Sequence, residues 1–256
     1  MKDTLVGNRY LLIEPIGSGG EAQVFRARDN TTQNDVALRL PQQQSGGCVF
    51  PQTLPVFHPG WVRLLDWGSD AQHGAYQVFE LLDGQTLGQI VQTGPLDSEA
   101  WLDFVHQSLD AVGALHEAGF IHGDLNAGNL LRAADRWKLL ELPFLHFDLP
   151  DVHSPLFGSI YTLTPEQLDG TPIDLRSDLY ALGCLYYYAA SGHYPHAGAG
   201  SREIAVNRLR FPPAPLDEIA PRLPAAWNAW VMTLLQREPQ NRFPSALAAR
   251  QRIDTA

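Results

Sequence analysis

The sequence predicts an α+β fold in two lobes, a small antiparallel β lobe over residues 1–82 and a larger helical lobe over 83–256. Three observations predict it. Up to about residue 80, short apolar runs alternate with glycine-rich or polar turns. After Gly84 the apolar residues recur at helical spacing. No internal repeat or low-complexity linker intervenes, and 256 residues with 45% hydrophobic content can build a sizeable core. A charged fraction of 18% excludes a disordered chain.

Each element follows in order. "RYLLIEPIG" is an apolar run that ends in the glycine cluster "GSGG"; "AQVFRARD" alternates, "TTQN" turns, and "DVALRL" is a third short strand. Residues 41–60 break the pattern. Pro41, Pro51, Pro55 and Pro59, with Gly46 and Gly47 between them, leave no window for a three-turn helix. "WVRLLDWGSD" and "GAYQVFELLDG" read as two more strands. "SEAWLDFVHQSLDAVGALHEAGF" then places Trp101, Phe104, Val105, Leu109, Val112 and Leu115 on one helix face behind a Ser98 or Asp97 cap. "SDLYALGCLYYYAASG" is apolar nearly all round, which predicts a buried central helix with Tyr186, Tyr187 and Tyr188 in the core. "PAAWNAWVMTLLQRE" and "PSALAARQRI" complete the helical lobe.

Composition narrows the function. A net charge of -10 with no basic run argues against nucleic acid and against contact with an anionic membrane. No apolar run reaches the length of a membrane span, and "MKDTLVGNRY" lacks a secretory h-region. Cys48 and Cys184 have no metal spacing and read as reduced thiols in a cytoplasmic protein. The histidines are scattered, without metal-binding spacing. The only lysines are Lys2 and Lys138.

Six motifs now fall in order. "IGSGGEAQV" is similar to the glycine-rich loop G-x-G-x-x-G-x-V, with Gly17, Gly19 and Val24 matching. "VALRL" is similar to the V-A-I-K strand through Ala37. "HGDLNAGNLL" resembles the H-R-D-L-x-x-x-N loop and supplies His122, Asp124 and Asn129. "TPE" (Thr164 to Glu166), "SDLYALG" with Asp178, and "REPQNRF" with Arg242 resemble the later motifs. Together they resemble the eukaryotic-type (Hanks-type) Ser/Thr protein kinase domain across almost the entire chain, so that both lobes form one domain. The resemblance implies ATP with Mg²⁺ as cofactor, Asp124 as acceptor of the substrate hydroxyl proton, and Asn129 as a metal ligand. It also implies that Asp178 holds the catalytic-loop backbone and that Arg242 pairs with Glu166. Ile16, Val24, Ala37 and Leu131 take the apolar positions around adenine, Phe79 the gatekeeper position and Glu80 to Leu82 the hinge. The same side chains read equally as plain core.

Four departures bear on chemistry. The phosphate-anchoring lysine is Arg39, whose planar fork has a different reach. Its acidic partner is missing, because no Asp or Glu lies between Asp35 and Asp66; the helix that carries it is expected to be truncated or absent. The metal-binding Asp of D-F-G is Glu141, followed by Leu142 and Pro143. Glu141 reads either as a Mg²⁺ ligand displaced by one methylene or as a strand end. Gly123 and Asn126 replace the loop arginine and the lysine two residues past the aspartate, so control by phosphorylation through that arginine is not expected. The sequence therefore predicts a pseudokinase, a binding or regulatory module with protein partners and weak or absent Mg-ATP binding. The alternatives are an atypical Ser/Thr kinase using Asp124, Asn129, Glu141 and Arg39, and a small-molecule phosphotransferase, whose catalytic loop also favours His-Gly-Asp.

Overall fold

The computed structural model describes residues 4–18, 22–41, 57–141 and 159–255. They divide into two compact units. One is Met1–Phe57 with Val62–Asp83, and the other is His58–Trp61 with Gly84–Ala256.

The first unit is one antiparallel sheet. Its strands are β1 (Leu5–Val6), β2 (Tyr10–Ser18), β3 (Ala22–Asp29), β4 (Asp35–Pro41), β5 (Leu64–Asp70) and β6 (Gly74–Glu80), in the spatial order β1-β2-β3-β4-β6-β5. Alternation decides which face is buried. Phe25 and Ala27 on β3, Val36 and Leu38 on β4, and Val78 on β6 point to one side and close over Tyr10, Leu12 and Tyr76. Arg9 ties the strand ends together, donating Nε and Nη2 to the two Asp29 oxygens at 2.7 Å and Nη1 to Asp66 at 3.0 Å. The segment 42–56, where a shortened helix was expected, lies outside the described residues.

The second unit contains β7 (Gln85–Thr86), α1 (Leu87–Thr93), α2 (Ser98–Glu117), β8 (Leu130–Ala133), β9 (Arg136–Leu139), α3 (Pro165–Asp169), α4 (Leu175–Ser191), α5 (Ser201–Arg210), α6 (Leu216–Ile219), α7 (Ala225–Leu234) and α8 (Ala246–Ile253). Asp97, rather than Ser98, caps α2 by accepting the Ala100 N–H at 2.9 Å. All six residues of the predicted α2 face are buried. Helix α4 runs through the core, with Leu179, Leu182, Cys184, Leu185 and Tyr186 fully covered. Trp101 packs on it, stacks on Trp227 at 5.4 Å and donates its indole N–H to the Tyr186 carbonyl at 2.9 Å.

Two expectations need correction. The break between units is not a single point after residue 82. His58–Trp61 belongs with the helices because the Leu139 N–H bonds the Gly60 carbonyl at 2.8 Å and the Trp61 indole bonds the Ala111 carbonyl at 2.9 Å. Gly60 permits that approach, since a Cβ there would meet the Ala111 Cβ at 2.8 Å. Of the three tyrosines, Tyr186 and Tyr187 are buried but Tyr188 is only half-buried; it stacks on Tyr194 at 4.4 Å, which stacks on the exposed Tyr161 at 4.6 Å. Among the described residues no helix is long and apolar enough to cross a membrane.

Candidate active site

In the β unit, strand register assembles the candidate nucleotide residues. Gly17 pairs with Val24, Val24 with Arg39, and Arg39 with Gln77, so one row crosses β2, β3, β4 and β6 on a single face. Ala37, two residues before Arg39, shares that face and pairs with Phe79. Ile16 is 48% exposed, and Val24, Ala37, Phe79 and Leu82 are half-buried. They do not form a closed core. Glu80 donates its backbone N–H to the Arg63 carbonyl and accepts the Arg63 N–H on its carboxylate, both at 3.0 Å. Gly19 lies outside the described residues.

Arg39 has an amide as its neighbour. Its Nη1 donates to Gln77 Oε1 at 3.2 Å, Gln77 is 3% exposed, and the Arg39 Nε is buried without a hydrogen-bond partner. Among the described residues no carboxylate forms an ion pair with it, whereas Arg9, Arg26 and Arg242 all have one.

In the helical unit, the loop from His122 to Asn129 is organised from below by α4. The Asp178 carboxylate accepts the His122 and Gly123 N–H groups and His116 Nε2, each at 2.8 Å. Burial alone would raise Asp178, but the His116 hydrogen bond and charge, with the Gly123 N–H, hold it below the usual carboxylate range. Gly123 has a φ of 74°, a left-handed conformation that suits glycine and disfavours arginine. Its carbonyl accepts from Gln167 Nε2 at 3.0 Å, which ties the loop to α3.

Asp124 is engaged by its own loop. Asn126 Nδ2 donates to Asp124 Oδ1 at 3.1 Å, and Asn129 Nδ2 donates to the Asp124 carbonyl at 3.1 Å. The Asn129 carbonyl then receives the Leu140 N–H at 2.9 Å. Leu131 is 9% exposed on β8. A recess beside Asp124 is lined by Gly123, Ser159, Thr162, Gln167 and Ser177. Glu141, just past the end of β9, is exposed. Among the described residues no group of three or more His, Cys, Asp or Glu side chains is placed to hold a metal ion. The described candidates for Mg²⁺ are thus one amide oxygen and one solvated carboxylate, a poor match for an ion that demands near-octahedral oxygen geometry. Leu142 and Pro143 lie outside the described residues.

Two buried arginines hold the elements that follow. Arg242 forks onto Glu166, Nη1 to Oε1 at 2.7 Å and Nη2 to Oε2 at 2.9 Å, as the motifs imply. Arg208 on α5 donates to the carbonyls of Ile160 at 2.7 Å, Tyr161 at 2.8 Å and Leu163 at 2.5 Å. Neither Arg208 nor Gln77 stood out in the sequence. Gln77 was findable as a polar residue at an apolar strand position opposite Arg39; Arg208 carried no signal, being one of many helix arginines.

The protein kinase domain family model matches residues 10–252. The serine/threonine-protein kinase pkn2 of Myxococcus xanthus is 30% identical over 266 residues, covering 95% of this chain and 32% of that protein. Serine/threonine-protein kinases PknB and PknA of Mycobacterium tuberculosis are 29% and 31% identical, covering 96% and 94% of this chain and 42% and 59% of theirs. The chain thus spans between about a third and three-fifths of the length of these relatives.

Proposed function

The chain belongs to the protein kinase domain family, and from that premise we propose that it is a pseudokinase: a cytoplasmic kinase-fold module that binds protein partners and transfers little or no phosphate. The observation that carries this is the brace of Arg39. A kinase needs a cation fixed on the phosphates and a divalent ion held by carboxylates, because transfer depends on positioning and on neutralising charge. Here the cation is fixed by the amide of Gln77, and residues 36–65 contain no acid that could serve instead. Glu141 stands exposed at the metal position, and Asp124 and Asn129 spend hydrogen bonds on the loop itself.

ATP supplies the transferable phosphoryl group when a kinase binds it with Mg²⁺. Arg39 is the residue here that fits its phosphates, since a buried guanidinium donor awaits an acceptor. Asp124 in that setting would take the hydroxyl proton, with Asn126 holding its Oδ1 in place.

A second reading is an atypical Ser/Thr kinase working through Asp124, Asn129, Glu141 and Arg39. It is favoured by the fully formed catalytic loop on Asp178 and by the kinase names of the relatives. A thermal-shift titration separates the two. A ligand at a hundred times its dissociation constant adds about 2.7 kcal/mol of stability, several degrees for a chain of this size. The pseudokinase assignment gives a small or absent shift with Mg-ATP. A large Mg²⁺-dependent shift abolished in Glu141→Gln establishes the second reading instead.

A further inference from the structure

We propose that the segment 159–164 is held by an acid-sensitive latch: Arg208 and the Tyr161–Tyr194 stack keep it closed while His196 is neutral, and a proton on His196 releases it. The inference stands whether or not the chain transfers phosphate.

The segment has two attachments, and both run to the stretch from Tyr194 to Arg208. Arg208 on α5, 3% exposed, donates to the Ile160, Tyr161 and Leu163 carbonyls. Tyr161 stacks on Tyr194 at 4.6 Å, and Tyr194 stacks in turn on Tyr188 of α4 at 4.4 Å. His196 lies between the two attachments in the chain and is 5% exposed. Its turn is tied to α5, where Asn207 Nδ2 donates to the Ala197 carbonyl at 2.7 Å and Glu203 accepts the Ala199 N–H at 2.8 Å. The ring is thereby held inside.

The charges around it make that position consequential. On α4 its Nε2 lies 3.5 Å from the Tyr180 hydroxyl, and the Cys184 thiol one turn further along is pushed up to about 11 by burial, hence neutral. The Arg242 guanidinium sits over the Tyr180 ring at 4.7 Å. Arg208 is the charge on α5 that reaches the imidazole, while Glu203 on the same helix is exposed and engaged by Ala199. The buried carboxylate of this cluster, Glu166, is already forked by Arg242. Two guanidiniums thus face one carboxylate before His196 takes a proton. A third cation would find no free carboxylate among the described residues of the cluster. Burial first, and Arg208 second, push the imidazole down from the usual 6.5 to about 4.

Arg208 is the attachment that yields. Arg242 is held by a carboxylate, whereas the partners of Arg208 among the described residues are neutral carbonyls, and bonds of that kind are the weaker. The closed segment binds the His196 proton less tightly than the open one. Falling pH therefore favours opening from about 6.5 downward, and the gain levels off below about 4. With those two values the opening constant rises about thirtyfold between about pH 7.5 and 5. Release uncovers the recess beside Asp124, which Ser159, Thr162 and Leu163 line.

The test is amide hydrogen exchange of the full chain at about pH 7.5 and 5, corrected for the intrinsic exchange rate. The Thr162 and Leu163 N–H groups bond the Ser159 carbonyl and report on closure. Their protection should fall about thirtyfold in acid, while Leu109 and Val112 of α2 stay better protected at both pH values. His196→Gln, which cannot take up a proton, should remove that fall. Should the new amide prevent folding, His196→Phe is the second variant and should keep the segment closed at both pH values. A fall under about threefold in the unaltered protein, a fall that persists in either folded variant, or segment and α2 amides converging on one protection value overturns the proposal.

Discussion

Arg242→Met should be among the most damaging single changes in the helical unit. The guanidinium is fully buried beside a Glu166 side chain only 5% exposed. It makes two charge-assisted bonds to that carboxylate and donates to the carbonyls of Gln236 at 2.8 Å, Arg176 at 3.0 Å and Arg237 at 2.8 Å. After the substitution the Glu166 carboxylate keeps the Ser177 hydroxyl at 2.7 Å and, among the described residues, no ion-pair partner. Breaking a buried pair in this way costs about 3–5 kcal/mol. At about 2–4 °C per kcal/mol in a chain of this length, the melting midpoint should fall by roughly 6–20 °C. The pH dependence adds a second constraint. Burial would raise Glu166, but the hydrogen bonds and charge of Arg242 outweigh it and hold the carboxyl below its usual range. Its folded value is thus lower than its unfolded value, so the pair's contribution is complete above about pH 4.3 and is lost as pH falls through the folded value. Differential scanning calorimetry at neutral pH and in acid should show the gap between the two proteins closing below about pH 4. A drop under about 2 °C at neutral pH, or a gap of constant size down to about pH 3, would mean that the Arg242–Glu166 pair does not hold the helical unit together.

Other substitutions test other parts. Gly123→Ala places a Cβ at a φ of 74° and should cost about 1–2 kcal/mol, read as a lower urea midpoint with an unchanged slope. Arg208→Met removes the donor shared by the Ile160, Tyr161 and Leu163 carbonyls; limited proteolysis within 159–164 should quicken by on the order of tenfold or more. Glu141→Gln alters an exposed side chain and should change stability by less than about 0.5 kcal/mol, with or without Mg²⁺ in a melting assay.

The strands and long helices were legible because their apolar period is set by the surface they bury. Residues Trp101 to Leu115 announced the α2 face, and the alternation of "AQVFRARD" announced β3. The two-residue strands β1 and β7 and the short helices α3 and α6 are too brief for a period to show. The residues of the helical half of the site were legible through spacing: Asp178 under His122 and Gly123, and Glu166 against Arg242, follow from motif order alone. What motif order could not supply was the response of neighbours to a replaced residue. Gln77 became the brace of Arg39 through cross-strand register, a contact between residues thirty-eight apart. Asn126 turned its amide onto Asp124, a contact that no motif specifies. The tyrosine ladder was missed for a similar reason, since Tyr188 finds Tyr194 and Tyr161 only after α4 and the 159–164 segment have been placed.

The most direct measurement is incorporation of radiolabelled γ-phosphate from Mg-ATP into the chain and into a generic Ser/Thr acceptor protein, comparing the unaltered protein with Asp124→Ala. Under the pseudokinase assignment both preparations give the same background. Incorporation by the unaltered protein that disappears in Asp124→Ala would contradict it and establish an active kinase.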